Sequence, residues 1–131
     1  IGTDIIVGLP GESDWAHENT LRLVRKIPFS NIHVFTYSIR PLTQAANMTP
    51  HVSEKEKKRR ADELRVIAQK KKRNFAEKFI GKEVTVLMEK PSGGIHSGRT
   101  PEYLEAIPKK KSVRNELVTF TPELYDGRYL K

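Results

Sequence analysis

The run Ile5-Ile6-Val7, closed by Gly8-Leu9-Pro10-Gly11, narrows the fold of this chain more than any other stretch. Three consecutive β-branched residues favour a strand, and an apolar run without alternation predicts one buried on both faces, as in a parallel sheet. Gly8, Pro10 and Gly11 break the run, and Ser13 or Asp14 can cap a helix starting at Trp15. Strand, glycine turn and capped helix make a βα unit, and ligands sit at the carboxyl ends of such strands. The turn has two readings, a plain tight βα turn or a ligand loop. A phosphate loop is excluded, because neither a Gly-Lys-Ser/Thr ending nor G-x-G-x-x-G spacing is present.

Downstream, Ala16, Thr20, Leu23, Val24 and Ile27 fall at helical spacing, and Pro28 ends that helix. Ile32–Tyr37 predicts a second, largely apolar strand, which completes a parallel βαβ unit with a right-handed crossover. The segment 38–43 then lies at the same sheet edge as the first turn, so Tyr37, Ser38 and Arg40 are expected to converge on it. Arg40 suits two partners there, Glu12 of the turn or the carboxylate or phosphate of a ligand. Ser53-Glu54-Lys55-Glu56 is a capping box that opens a long helix to about Phe79, with Leu64, Ala68, Phe75 and Phe79 as its buried stripe and Gly81 as its stop. The basic run Lys70-Lys71-Lys72-Arg73 reads as a solvated face or an RNA contact.

Beyond Gly81 the period drops to two. Val84, Val86 and Met88 alternate with Thr85, Leu87 and Glu89, and Pro91-Ser92-Gly93-Gly94 makes a turn. Further short strands are predicted at Tyr103–Ile107, Glu116–Phe120 and Arg128–Lys131. Short strands spaced by Gly and Pro suggest a small closed barrel of OB-like type. The fold class is therefore an α/β part, residues 1–80, followed by a small all-β barrel, residues 81–131, with the boundary near Ile80.

Charge supplies the first functional constraint. The chain has 24 Lys and Arg against 16 Asp and Glu, a formal net charge of +8, which favours a polyanionic partner such as nucleic acid. In the second part Arg99, Lys109, Lys110, Lys111 and Arg114 gather with Tyr103 and Asn115. Basic side chains hold phosphates, and an aromatic can stack on an unpaired base, although Tyr103 also suits a core position. With no cysteine, disulfides, thiol nucleophiles and cysteine-held zinc or iron–sulfur centres are excluded for these residues. His17, His33, His51 and His96 lack metal-ligand spacing, so no metal site is expected. No apolar stretch is long enough to span a bilayer and no signal peptide is present, which points to a soluble, cytoplasmic protein. Because the chain starts almost directly in a strand that needs neighbours, it is expected to be a carboxy-terminal fragment whose exposed first strand pairs with another copy.

Asp4–Glu12, then His33-Val34-Phe35-Thr36-Tyr37-Ser38-Ile39-Arg40-Pro41, then Ala45-Ala46 and Met48, closely resemble the radical SAM methylthiotransferases, nearest the threonylcarbamoyladenosine tRNA branch. Residues 81–131, with Gly98, Thr100, Tyr103-Leu104 and Asn115, look like the TRAM domain of those enzymes. The resemblance implies that residues 1–80 are the last units of a partial TIM barrel. It implies that Ile6, Gly8, Glu12, Tyr37, Ser38 and Arg40 line or rim an S-adenosylmethionine cavity. It further implies that Arg99, Tyr103, Lys109, Lys110, Lys111, Arg114 and Asn115 grip tRNA near the anticodon. The intact parent would carry S-adenosylmethionine and two [4Fe-4S] clusters and add a methylthio group to N6-threonylcarbamoyladenosine. The cluster-holding cysteine motifs are absent here, so the chain alone is expected to be inactive. Thr36 stands for a typical Pro, Leu42 for a typical Gly and Arg99 for a more usual aromatic. Two other identities are a ribosomal-protein methylthiotransferase fragment and a non-catalytic RNA-binding module.

Overall fold

The computed structural model describes residues 1–109 and 112–131, so Lys110 and Lys111 lie outside the described residues. The chain divides into two compact units, Ile1–Lys72 and Arg73–Lys131.

In the first unit, β1 (Gly2–Val7) and β2 (Asn31–Thr36) pair in parallel, with Gly2 opposite Asn31 and Val7 opposite Thr36. The connecting helix α1 (Asp14–Lys26) starts where Ser13 Oγ accepts the Ala16 N–H, so Ser13 rather than Asp14 is the cap. Its backbone turns extended at Ile27, ahead of Pro28. The buried face of α1 is His17, Leu21 and Val24, a rotation away from the expected stripe, and Leu23 is half-exposed. Helix α2 (Glu54–Ala76) supplies the other wall of this core, which gathers Val7, Leu21, Val24, Ile32, Ala61 and Leu64. Ser53 Oγ accepts the Glu56 N–H, but the Glu56 carboxylate turns to Arg59 and Arg60 instead of completing the capping box.

The expectation that Ile5–Val7 is buried on both faces is corrected. Val7 is buried, but Ile6 is 53% exposed, and so is its partner in register, Phe35, at 51%. Within this unit only one face of the two-stranded sheet is packed, so alternate side chains of β1 and β2 stand outward.

The second unit is a five-stranded sheet ordered β6-β3-β4-β5-β7, from β3 (Val84–Met88), β4 (Gly98–Arg99), β5 (Glu105–Ala106), β6 (Leu117–Phe120) and β7 (Tyr129–Leu130). The predicted strands are present but shorter, and β4 is an addition. The ladder is open between β6 and β7, whereas a closed barrel is expected from the strand spacing. Leu124 and Lys131 nonetheless exchange backbone hydrogen bonds, which ties β7 to the segment just after β6. Val84, Val86 and Met88 point inward as their alternation predicts, and pack with Leu104, Ala106, Val118 and Leu130. Phe75, Ala76 and Phe79 join this core, and the division between the two compact units falls inside α2, whereas the change of period places the domain boundary near Ile80. Gly98 is required: a Cβ there would lie 2.3 Å from the Leu87 carbonyl oxygen. No described helix is long and apolar enough to cross a membrane.

Candidate functional site

The first candidate region is the turn between β1 and α1. Gly8 has φ +77°, and a Cβ on it would meet Lys57 Cγ at 2.3 Å. The glycine thus admits the stem of a lysine from α2. Lys57 is 3% exposed; its ammonium donates to Glu54 at 2.8 Å and lies 5.4 Å from the Tyr37 ring centroid. The Tyr37 N–H donates to the Val7 carbonyl at 2.8 Å, while its phenolic oxygen is buried without a partner.

Glu12 folds back over the turn. Its carboxylate accepts the Gly8 N–H and lies 3.1 Å from the Arg60 guanidinium. Arg60, 4% exposed, also donates to the Glu12 carbonyl at 2.8 Å, to Asp14 at 2.9 Å and to Glu56 at 3.0 Å. A guanidinium has five N–H donors in a fixed fork, and here one side chain engages four acceptor atoms drawn from two segments. Beside it, buried His17 donates from Nε2 to Glu63 at 2.8 Å, and its Nδ1 stands 4.0 Å from Glu12. The hydrogen bond from His17 holds the Glu63 carboxyl below its usual range, and the Arg59 hydrogen bond holds Glu56 at about 2.

The structure therefore decides which partner Glu12 takes. It is Arg60 of α2, and the exposed Arg40 side chain forms no ion pair among the described residues. Tyr37 reaches the turn through Val7 and Lys57; the side chains of Ser38 and Arg40 stand in solvent. The second loop returns to the first by its far end, where Pro50 O accepts the Gly11 N–H at 2.9 Å. Ile6 and Phe35 form an apolar pair on the open sheet face nearby.

Lys57, Arg60 and His17 were not legible as site residues, though a signal existed. Lys57, Arg60, Ala61 and Leu64 continue the apolar stripe of α2 at i, i+3, i+4 and i+7. A cation on a buried stripe implies a buried partner.

The second candidate region is the outward face of the β-sheet. Arg99 donates to Glu89 at 2.9 Å and reaches Glu105 at 3.5 Å, so its charge is already balanced. Tyr103 is 74% exposed rather than in the core, with φ +64°. The two share a cavity with Thr85, Leu87, Pro101 and Leu117. Arg114 and Asn115 lie in the turn before β6, where Asn115 has φ +67° and donates its N–H to the Met88 carbonyl. Lys109 is paired with Glu123. Among the described basic residues of this part, Arg99 and Lys109 are thus each paired with a carboxylate, and Lys110 and Lys111 lie outside the described residues. In the run 70–73, Lys71 caps α1 by donating to the carbonyls of Arg25 and Ile27.

No family model matches the chain. Among characterised proteins it is 46% identical over 89 residues, 68% of this chain, to the threonylcarbamoyladenosine tRNA methylthiotransferase MtaB of Thermotoga maritima, of which it covers 20%. It is 43% identical over 88 residues, 67% of the chain, to the MtaB of Aquifex aeolicus, covering 22% of it. It is 36% identical over 121 residues, 92% of the chain, to the tRNA-2-methylthio-N(6)-dimethylallyladenosine synthase of Neorickettsia sennetsu, covering 26%. The chain spans about a fifth to a quarter of the length of these relatives.

Proposed function

We propose that this chain, which corresponds to part of a radical SAM methylthiotransferase, serves a parent enzyme that modifies an adenosine of tRNA. The observation that carries the reading is identity of 36–46% to such enzymes over 67–92% of the chain. Residues 1–80 would contribute to the barrel of the parent and residues 81–131 would form its TRAM domain. We assign N6-threonylcarbamoyladenosine as the substrate nucleoside, supported by the His33–Arg40 segment and by the higher identity to the MtaB proteins. A second reading, dimethylallyladenosine, is favoured by the longer span matched in the synthases.

S-adenosylmethionine would supply the reactive sulfonium chemistry of the parent. The chain's own residues fit its apolar part: Ile6 and Phe35 offer an exposed wall at the carboxyl ends of β1 and β2. Ser38 and Arg40, exposed beyond β2, are free to meet polar groups at the rim. Gly8, Glu12 and Tyr37 shape that rim from beneath, through Lys57 and Arg60. The chain has no cysteine and supplies no thiolate to an iron–sulfur cluster.

The test is nucleoside analysis by mass spectrometry. The parent protein is expressed in a bacterial host deleted for its own methylthiotransferases. Appearance of the methylthio derivative of threonylcarbamoyladenosine supports the assignment. Appearance of the dimethylallyl derivative selects the second reading, and neither product rejects both.

A further inference from the structure

We infer that the outward face of β3, β4 and β6 receives one unpaired nucleobase, stacked on Tyr103. The inference deepens the reading of residues 81–131 as the TRAM domain of a tRNA-modifying parent and rests on it. Three observations carry it.

First, Tyr103 is held in a backbone conformation that its side chain does not favour. At φ +64° a bulky residue is an outlier, and such strain persists where the surroundings impose it, most often at functional sites. The turn is built by its neighbours: the Tyr103 N–H donates to the Thr100 carbonyl at 2.9 Å, and Thr100 Oγ accepts the Leu104 N–H at 3.3 Å. Glycine would suit this turn better, and a ring that is 74% exposed adds little to a core. Folding gives no reason for the ring.

Second, Tyr103 keeps particular company. Leu42 is equally strained and fully exposed, so strain alone singles out nothing. Tyr103, however, opens on a cavity of about 390 Å³ that it shares with Leu87, Leu117, Pro101 and Arg99. Leu87 and Leu117 point outward on paired strands and are 48% and 68% exposed. An aromatic ring, aliphatic side chains and a guanidinium plane on one sheet face match the flat, apolar surfaces of a base.

Third, the charge on this face is balanced. Glu89, just past the end of β3, and Glu105 of β5 both pair with Arg99, which orients its guanidinium and offsets its pull on a phosphate. Arg99 is therefore a planar platform and not a backbone clamp. The net charge of +8 over the whole chain draws a polyanion, and this neutral face then engages the base.

The test titrates the full 131-residue chain into a single-stranded oligoribonucleotide carrying 2-aminopurine, whose fluorescence falls when the base stacks. The native chain is expected to quench it. Tyr103→Gly is expected to abolish quenching and weaken binding by at least about five-fold, while raising Tm. Tyr103→Phe should retain the quenching, and Arg99→Gln should leave the log–log salt slope unchanged. No quenching by the native chain, or equal quenching by Tyr103→Gly, overturns the inference. A lowered Tm in Tyr103→Gly assigns the ring to folding and also overturns it. A slope reduced by roughly one in Arg99→Gln makes that residue a phosphate contact and rejects the platform role. The nucleoside analysis is independent: quenching without a methylthio product would sink the enzymatic reading and leave the base pocket standing.

Discussion

Two turns of this molecule use a left-handed backbone in opposite ways. At φ +77° the turn after β1 carries Gly8, and at φ +64° the turn after β4 carries Tyr103. Around Gly8 the chain closes on itself: Lys57 fills the space of a side chain, Glu12 takes the free N–H, and Arg60 neutralises Glu12. Around Tyr103 the backbone is just as well fixed, but the side chain projects into solvent. The first turn is closed by its own chain, so its residues act by shaping. The second leaves its most distinctive group uncommitted. A residue type that fits its backbone tells about folding, and one that does not fit points outside the fold only where, as at Tyr103, its surroundings also offer a surface to bind.

The difference can be broken by substitution. The largest effect is expected at Arg60, because its loss strands the part-buried Glu12 and frees α2 from the turn. Arg60→Met should destabilise the chain by about 3 kcal/mol in urea unfolding, near the cost of breaking a buried ion pair. A cost below about 1 kcal/mol would mean that the turn holds itself without α2.

Gly8→Ala comes next, at about 2 kcal/mol, since the added methyl strikes Lys57 Cγ and strains the backbone. Gly11→Ala, at φ +78° with open space around it, should cost only about 1 kcal/mol. Equal costs at the two glycines would remove the role given to Lys57. The Gly8→Ala/Lys57→Ala pair should be less destabilised than the sum of its singles. Impaired methylthiolation in a parent carrying Gly8→Ala would therefore not by itself identify a cofactor contact.

Tyr103→Gly should act with the opposite sign, gaining about 1 kcal/mol by relieving the left-handed residue. Leu42→Gly provides a second case of the same strain, in a loop of the first unit. A smaller loss, about 0.5–1 kcal/mol, is expected for Lys71→Ala, which uncaps α1 at Arg25 and Ile27.

The smallest effect is electrostatic. Arg59 holds Glu56 at about 2, below its ordinary value of 4.5, so the folded state binds the proton less readily than the unfolded one. That contribution is complete above about pH 4.5 and is lost as pH falls towards 2. Tm followed against pH should decline over this window, more gently in Glu56→Gln and in high salt, because the pair faces solvent. An unchanged profile in Glu56→Gln would shift the acid sensitivity to Glu63 and Asp126, whose carboxyls are also held low by hydrogen bonds.

Local chemistry made much of this architecture readable from the sequence. Gly8, Pro10 and Gly11 marked a turn, Ser13 and Ser53 capped their helices, and the alternation of Val84, Val86 and Met88 set the inward face of β3. Each depends on residues a few positions apart, where periodicity and capping act. The partners of those residues were decided by tertiary packing. Arg40, close in sequence to the second strand's end, was as suitable for Glu12 as Arg60, 48 residues away in the chain. Only the seating of α2 beside the turn brought Arg60 to it and Lys57 onto Gly8. Likewise the motif of apolar residues in β1 foretold the strand but not its open face, because burial depends on what packs above and below. Sequence determines what a segment can form, whereas exposure, ion pairing and the strain at Tyr103 depend on neighbours that only the folded chain brings together.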